Sequence, residues 1–227
     1  MKVAATTKAN FAVFSIFMTL GFILYCLVPY TGSIGSIAGF VLAFVIAACA
    51  ALARNSASRL LRLVATCYVE AIRNTPVLLQ IFIVYFFIGT VLNLSREFAG
   101  VAALALFTGA YVSEIVRAGV QSIPKGQMAA AQAMGMTYGQ TMRLIILPQA
   151  FRKMTPLLLQ QSIILFQDTS LVYAIGAYDM LKGFEVAGKN FGRPIEAYLA
   201  AAVLYFVMCY ALSWSVKRLH KKIAIIR

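Results

Sequence analysis

The feature that most constrains this chain is its succession of long apolar runs. Six stretches stand out: Phe11–Val28, Ile34–Ala53, Pro76–Leu94, Phe98–Val116, Pro156–Gly176 and Tyr198–Val216. A helix needs about 20 mostly apolar residues to cross the hydrocarbon core of a bilayer. In that core every backbone polar group must be paired internally, so only helices and closed barrels can span it. The runs are continuous rather than alternating, which argues against a barrel. The expected fold is an all-α integral membrane protein of about six transmembrane helices, spans about 11-28, 34-53, 76-94, 98-116, 156-176 and 198-216. They form one transmembrane domain over residues 1-227. No separate soluble domain is left over, and the longest polar interval is 117-155.

Charge then orients the spans. Of 227 residues 62% are hydrophobic and only 12% charged, yet Lys and Arg number 20 against 7 acidic residues, a net charge of +13. Such a balance fits nucleic acid or a membrane, and the apolar excess selects membrane lipid, with no nucleic-acid partner expected. With six spans the two termini share a side. That side collects Lys2, Lys8, Arg54, Arg59, Arg62, Arg73, Arg117, Lys125, Arg143, Arg152, Lys153, Lys217, Arg218, Lys221, Lys222 and Arg227. The opposite side holds Arg96, Lys182, Lys189 and Arg193. Positive residues mark the cytoplasmic face, so both termini are expected there, in a bacterial inner (plasma) membrane. The run at 11-28 after Lys2 and Lys8 also resembles a signal sequence, but no Ala-x-Ala site follows, and a retained helix is the reading. Gly35-x-x-x-Gly39 is a spacing that lets helices approach closely.

Several chemistries lack material. The single histidine, His220, lies in the basic C-terminal run, so a catalytic triad or histidine metal site is not supported. Cys26, Cys49, Cys67 and Cys209 form no C-x-x-C pair, so zinc or redox motifs are not supported. Gly183 to Lys189 has the spacing of a phosphate-binding loop, but Asn190 stands where Ser or Thr would bind Mg²⁺, and no strand leads into it. No catalytic residue, metal site or cofactor is expected in this chain.

The polar interval has legible local chemistry. Ser122 reads as an N-cap, Pro124 as a first-turn proline and Gln127–Met134 as an Ala-rich helix. Gly135 suits a C-terminal cap, Thr137 and Gln140 a capping box, and Pro148 follows the apolar end of the second helix. The expectation is a helix–glycine–helix hairpin on the cytoplasmic face. Ala129, Ala130, Ala131, Gly135, Ile145, Leu147 and Pro148 stand at the spacing of the EAA loop of ABC-importer permeases, which this segment resembles. The departure is Ala129, where that signature has Glu.

The resemblance to polar amino-acid importer permeases covers roughly residues 34-227. Tyr68-Val-Glu70-Ala-Ile-Arg73-Asn-Thr-Pro76-Val-Leu-Leu-Gln80 and the stretch from Ala110 to Gln127 are similar to segments of that family. Phe166-Gln167-Asp168-Thr169-Ser170-Leu171-Val172-Tyr173 looks closest to the glutamate/aspartate branch. The resemblance implies a type I ABC importer permease fold, with a family core of five spans and an extra N-terminal one. It implies a second permease chain (homodimer or heterodimer), two ATPase subunits and a periplasmic amino-acid-binding protein. ATP and Mg would be bound by the partner ATPase. The 122-148 loop would couple to that ATPase through Ala129, Ala130, Ala131, Gly135, Thr137, Ile145, Leu147 and Pro148. The substrate implied is glutamate or aspartate. Alternatives are another polar amino acid (glutamine, histidine, arginine) or a proton-coupled secondary transporter.

Polar residues inside the spans are costly and usually face a bundle interior or a water-filled path. Gln160, Gln161, Gln167 and Asp168 fall on one helix face about 120° wide at 100° per residue, with Thr169 and Ser170 just beyond. That face either lines a substrate path or seals a permease dimer. Glu114 either pairs with Arg117 three residues on or lines the path. Gln80 is a third candidate. The mixed-charge connection 177-197, with Asp179, Lys182, Glu185, Lys189, Arg193 and Glu196, either docks the binding protein or is a solvated periplasmic connector.

Overall fold

The structure is a computed structural model that describes residues 45, 46, 49, 50, 53, 54 and 58–224, with side chains through Arg218. Expectations about the first span, most of the second, Gly35 and Gly39, the N-tail and the far C-terminus lie outside the described residues. All regular structure among those described is helical.

α1 (Arg59–Arg73) is strongly one-sided and buries Ala65 and Val69. It ends where Asn74 turns back, its amide Nδ2 donating to the Glu70 carbonyl at 2.8 Å. Pro76 then forces an extended backbone, and the chain bends by 114°. α2 (Val77–Ile83) continues through a π-helical turn at Val84–Gly89 and a last turn at Thr90–Leu92. Left-handed Asn93 (φ 51°) stops it.

α3 (Arg96–Gln121) is capped by Ser95, whose Oγ accepts from the Phe98 N–H at 3.2 Å, with Glu97 in the first turn. That places an acceptor and a negative charge at the positive helix end. Its buried face is rich in small residues, among them Ala99, Gly100, Ala103, Ala105, Gly109, Ala110 and Gly119. Small residues let neighbouring backbones come close, and α1, α2 and the helix Leu147–Asp168 all pack on α3.

α4 (Lys125–Ala133) and α5 (Tyr138–Thr141) form a hairpin. α5 runs through a π-helical turn (Met142–Ile146) directly into α6 (Leu147–Asp168). The path continues as a 3-10 helix (Thr169–Ile175) and stops at left-handed Gly176 (φ 75°). α7 (Met180–Asn190) and α8 (Pro194–Ala224) pack on each other, and α8 packs on α6.

By length and composition, α3 and the 25 residues of α8 from Pro194 to Arg218 are each able to cross a membrane, and the bent pair α1–α2 would make a third. α6, which carries most of the expected span 156-176, is not among them, because Arg152, Lys153, its glutamines and Asp168 dilute its apolar content. Two local expectations are corrected. Ser122 caps the C-terminal end of α3 rather than opening α4, whose N-cap is Pro124. Pro148 does not end the second hairpin helix. The Leu147 N–H reaches back five residues to the Met142 carbonyl, and this slip of the ladder just before Pro148 accommodates the missing proline N–H. The interval 117-155 is therefore the end of α3, a short hairpin and the first turns of α6.

Two apolar clusters hold the helices. One joins Val112, Ile123, Ile146, Ala150, Met154, Leu158 and Leu159, with Met128, Met142 and Val216 packed against it. The other joins Ile81, Val84, Ala99, Ala103, Leu104, Ile175 and Ala177. The first fixes the hairpin to α3 and α6, and the second fixes α2 to α3 and the 3-10 segment.

Candidate functional site

The hairpin is built from local rules. Gly135 adopts φ 78°, a left-handed conformation that costs a residue with a Cβ about 1–2 kcal/mol. Its N–H donates to the Gln132 carbonyl at 2.9 Å, and the Met136 N–H to the Ala131 carbonyl at 3.2 Å. This double closure satisfies the last carbonyls of α4. Thr137 then opens α5 with a complete capping box: Gln140 N–H to Thr137 Oγ1 at 3.3 Å, and Thr137 N–H to Gln140 Oε1 at 2.9 Å. Lys153 Nζ donates to the Ser122 carbonyl at 2.8 Å, tying α6 to the end of α3.

Burial sorts the expected coupling residues. Ala131 is buried inside the hairpin, Ile145, Leu147 and Pro148 are half-buried against its base, and Ala129, Ala130, Gly135 and Thr137 are exposed. Sequence reading missed three residues of the same surface. Met134, Tyr138 and Leu144 are large, apolar and exposed at 78%, 65% and 62%. Their signal was present as bulky apolar side chains in an otherwise small and polar loop. Large apolar side chains so exposed on a hydrophilic segment are a common feature of partner surfaces.

Glu114 is not a free carboxylate. It sits between Arg117, on its own helix, and Arg54, sixty residues earlier in sequence. Arg117 donates to both of its oxygens and Arg54 shares Oε2, and its side chain is only 19% exposed. Arg117 also reaches Gln121 Oε1 at 3.2 Å. The pair with Arg117 is present, as one of the two readings had it, and Arg54 extends it across helices.

Gln80 is buried at the elbow between α1 and α2. Its Nε2 lies 2.7 Å from the Ile72 carbonyl, 3.0 Å from the Thr75 carbonyl and 2.8 Å from Thr75 Oγ1. It clamps the bend, and its Oε1 has no partner among the described residues. Beside it Arg73 lies over the Tyr111 ring, 5.9 Å from the centroid.

The polar face of α6 divides in two. Gln161 is buried and Asp168 half-buried, while Gln160 and Gln167 are exposed. At 100° per residue the first two share one edge of the stripe and the last two the other, so the stripe straddles the boundary of the packed surface. Gln161 Nε2 and Asp168 Oδ2 are buried without partners among the described residues. Buried polar atoms are normally paired, so these two are open to a partner outside the described residues, in a path or across a permease dimer. Thr169 and Ser170 are not free donors, since their hydroxyls return to the Phe166 and Gln167 carbonyls at 2.7 and 2.8 Å. No group of three or more potential metal ligands occurs among the described residues.

The connection 177-197 is a folded element rather than a loose connector. Asp179 caps α7, its Oδ1 accepting from the Lys182 N–H at 2.7 Å. Glu185 pairs with Lys182 at 2.6 Å and with Lys189 at 2.5 Å. Burial pushes the Asp179 carboxyl above the usual range, opposed by the Lys182 N–H. Hydrogen bonds from Lys182 and Lys189 hold Glu185 below it. For Glu185 the ionised form is favoured by folding, so its stabilisation is complete above about pH 4.5 and fades as pH falls through the lowered value. Glu185→Gln is expected to flatten the acid limb of a thermal-stability profile recorded from pH 6 to 3. An unchanged limb would assign the acid sensitivity to another group.

Similarity to known proteins bears on this arrangement. A family model described as binding-protein-dependent transport system inner membrane component matches residues 39–225. The chain is 43% identical over 169 residues to the glutamate/aspartate import permease protein GltK of Escherichia coli O157:H7, 70% of this chain and 75% of that one. It is 40% identical over 192 residues to the L-cystine transport system permease protein TcyB of Bacillus subtilis (strain 168), 84% of this chain and 80% of the other. The crystal structure of an amino acid ABC transporter with histidines aligns over 97% of both chains, with a TM-score of 0.77 and 28% identity.

Proposed function

Because the chain belongs to the binding-protein-dependent transport system inner membrane component family, we propose that it forms the substrate path of a glutamate/aspartate importer. It is an amino-acid ABC importer permease, and the finer reading concerns substrate, partners and path. Two permease chains form the path, and a periplasmic binding protein delivers the amino acid. Two ATPase subunits bind ATP and Mg and carry out hydrolysis. Six spans place both termini in the cytoplasm with the hairpin.

The observation that carries the reading is mechanical. The exposed Met134, Tyr138 and Leu144 sit on a hairpin whose second arm continues without interruption into α6 and ends at Asp168. An ATPase that grips the hairpin moves α6 as a rigid body, and packed helices pass such a displacement on as a discrete shift. At the far end, Asp168 offers a carboxylate to the substrate ammonium, and Gln161 Nε2 a donor to a carboxylate. Arg73 supplies positive charge at the elbow, where α2 packs against the 3-10 segment that follows Asp168. A broken helix at membrane depth is a recurrent way of building such a site.

Asp168→Asn is expected to lower transport roughly 10- to 100-fold, the worth of one charge-assisted hydrogen bond. The ATPase should still assemble with that variant. Transport at the unmodified rate would remove Asp168 from the path. The substrate reading is tested by ATPase stimulation in proteoliposomes. Stimulation by a glutamate-loaded binding protein supports it, and stimulation only by a receptor loaded with cystine, glutamine or arginine overturns it. Identity to an L-cystine permease at 40% makes that comparison the informative one. Uptake driven by a proton gradient without any ATPase would overturn the coupled mechanism itself.

A further inference from the structure

α8 carries a surface that neither the path nor the hairpin uses. Phe206, Tyr210, Trp214 and Arg218 recur every four residues and so form one row along the helix. The rings of Phe206 and Tyr210 stack at 6.0 Å with 22° between their planes. The Arg218 guanidinium lies over the Trp214 ring, 3.6 Å from its centroid. The three aromatic side chains are 69%, 65% and 47% exposed. Lys217 flanks Arg218, and positions 221 and 222, both lysine, extend the row by helical register. The helix itself runs 31 residues to Ala224, about ten more than a bilayer core requires.

An apolar aromatic stripe that ends in a cluster of cations has the polarity of a phospholipid: acyl chain below, phosphate above. We propose that this row binds an anionic phospholipid, with the phosphodiester held at Lys217 and Arg218 and the acyl chain lying along Trp214, Tyr210 and Phe206. Arg218 is pre-positioned for that role, because stacking on Trp214 fixes its plane and leaves its edge N–H groups free to fork onto phosphate oxygens. Charge argues against a second copy of this chain as the occupant. Two-fold packing about an axis normal to the membrane would bring the same four cations face to face at one depth, and like charges so placed repel. Clusters of basic residues just beyond a membrane helix attract anionic headgroups.

Trp214 is the only tryptophan in the chain, so its fluorescence reports this row alone. The full-length chain is placed in detergent micelles doped with phosphatidylglycerol or phosphatidylcholine carrying bromines on the acyl chains. Brominated phosphatidylglycerol should quench Trp214 at a roughly tenfold lower mole fraction than brominated phosphatidylcholine. High salt should erase the difference, since exposed charges are screened. The variant Lys217→Gln/Arg218→Gln/Lys221→Gln/Lys222→Gln should quench equally with both lipids. Should that variant not fold, the salt titration on the unmodified chain still decides. Equal quenching by both lipids in the unmodified chain overturns the proposal. So does a preference that survives the fourfold substitution. Equal quenching together with loss of ATPase co-purification in the fourfold variant would assign the cations to an acidic protein surface instead, and would also overturn it.

Discussion

Gly135→Pro is expected to abolish co-purification of the ATPase while leaving the membrane helices folded. Proline is confined to φ near −65°, and position 135 requires φ 78°. The substitution also removes the N–H that closes on the Gln132 carbonyl. The cost is on the order of a few kcal/mol, and it falls on the turn that sets α5 against α4. α4 and α5 would separate, and Met134, Tyr138 and Leu144 would no longer form one surface. Gly139 provides the control. It is helical, and a Cβ built there meets nothing within 4 Å, so Gly139→Ala should leave assembly intact. ATPase retention by the Gly135→Pro protein would show that the hairpin is not the dock. Loss in both variants would show that the surface is sensitive to any added bulk rather than to the turn.

Glu114→Ala is expected to destabilise the chain by about 1–3 kcal/mol, less than loss of one member of a fully buried pair, because the triad is only part-buried. It leaves two guanidinium groups, Arg54 and Arg117, with no carboxylate between them. Arg54→Ala should cost less, because Glu114 keeps Arg117. Thermal unfolding in detergent would rank the two single variants and the double. The signature of the ion triad is a double variant less damaged than the sum of the singles. Strict additivity would mean that the three charges do not act together.

Sequence and structure agree most closely where interactions are short-range. The turn at Gly135 and the capping box of Thr137 and Gln140 involve neighbours three to five residues apart, so residue type and spacing identify them. The relation of hairpin to α6 was hidden, because proline at 148 is an end signal unless the ladder slips, and the slip depends on packing of Ile146 into the cluster with Val112 and Met154. The 114° elbow was half legible. Pro76 announces a break, but the clamp by Gln80 joins residues on both sides of it. The partner of Glu114 was beyond reach, since no local pattern connects it to Arg54. Helical period groups the stripe on α6, while its division into packed and open edges needs the neighbouring helices.

The long sequence separation of the Arg54–Glu114 contact has a consequence for biogenesis. Ribosomes add about 5–20 residues per second, so Arg54 is synthesised about 3–12 s before Glu114, sixty residues on. During that interval Arg54 has no Glu114 to pair with. The contact can form only once most of α3 has been made. The ion pair is thus a late stitch, closed by the segment that completes it.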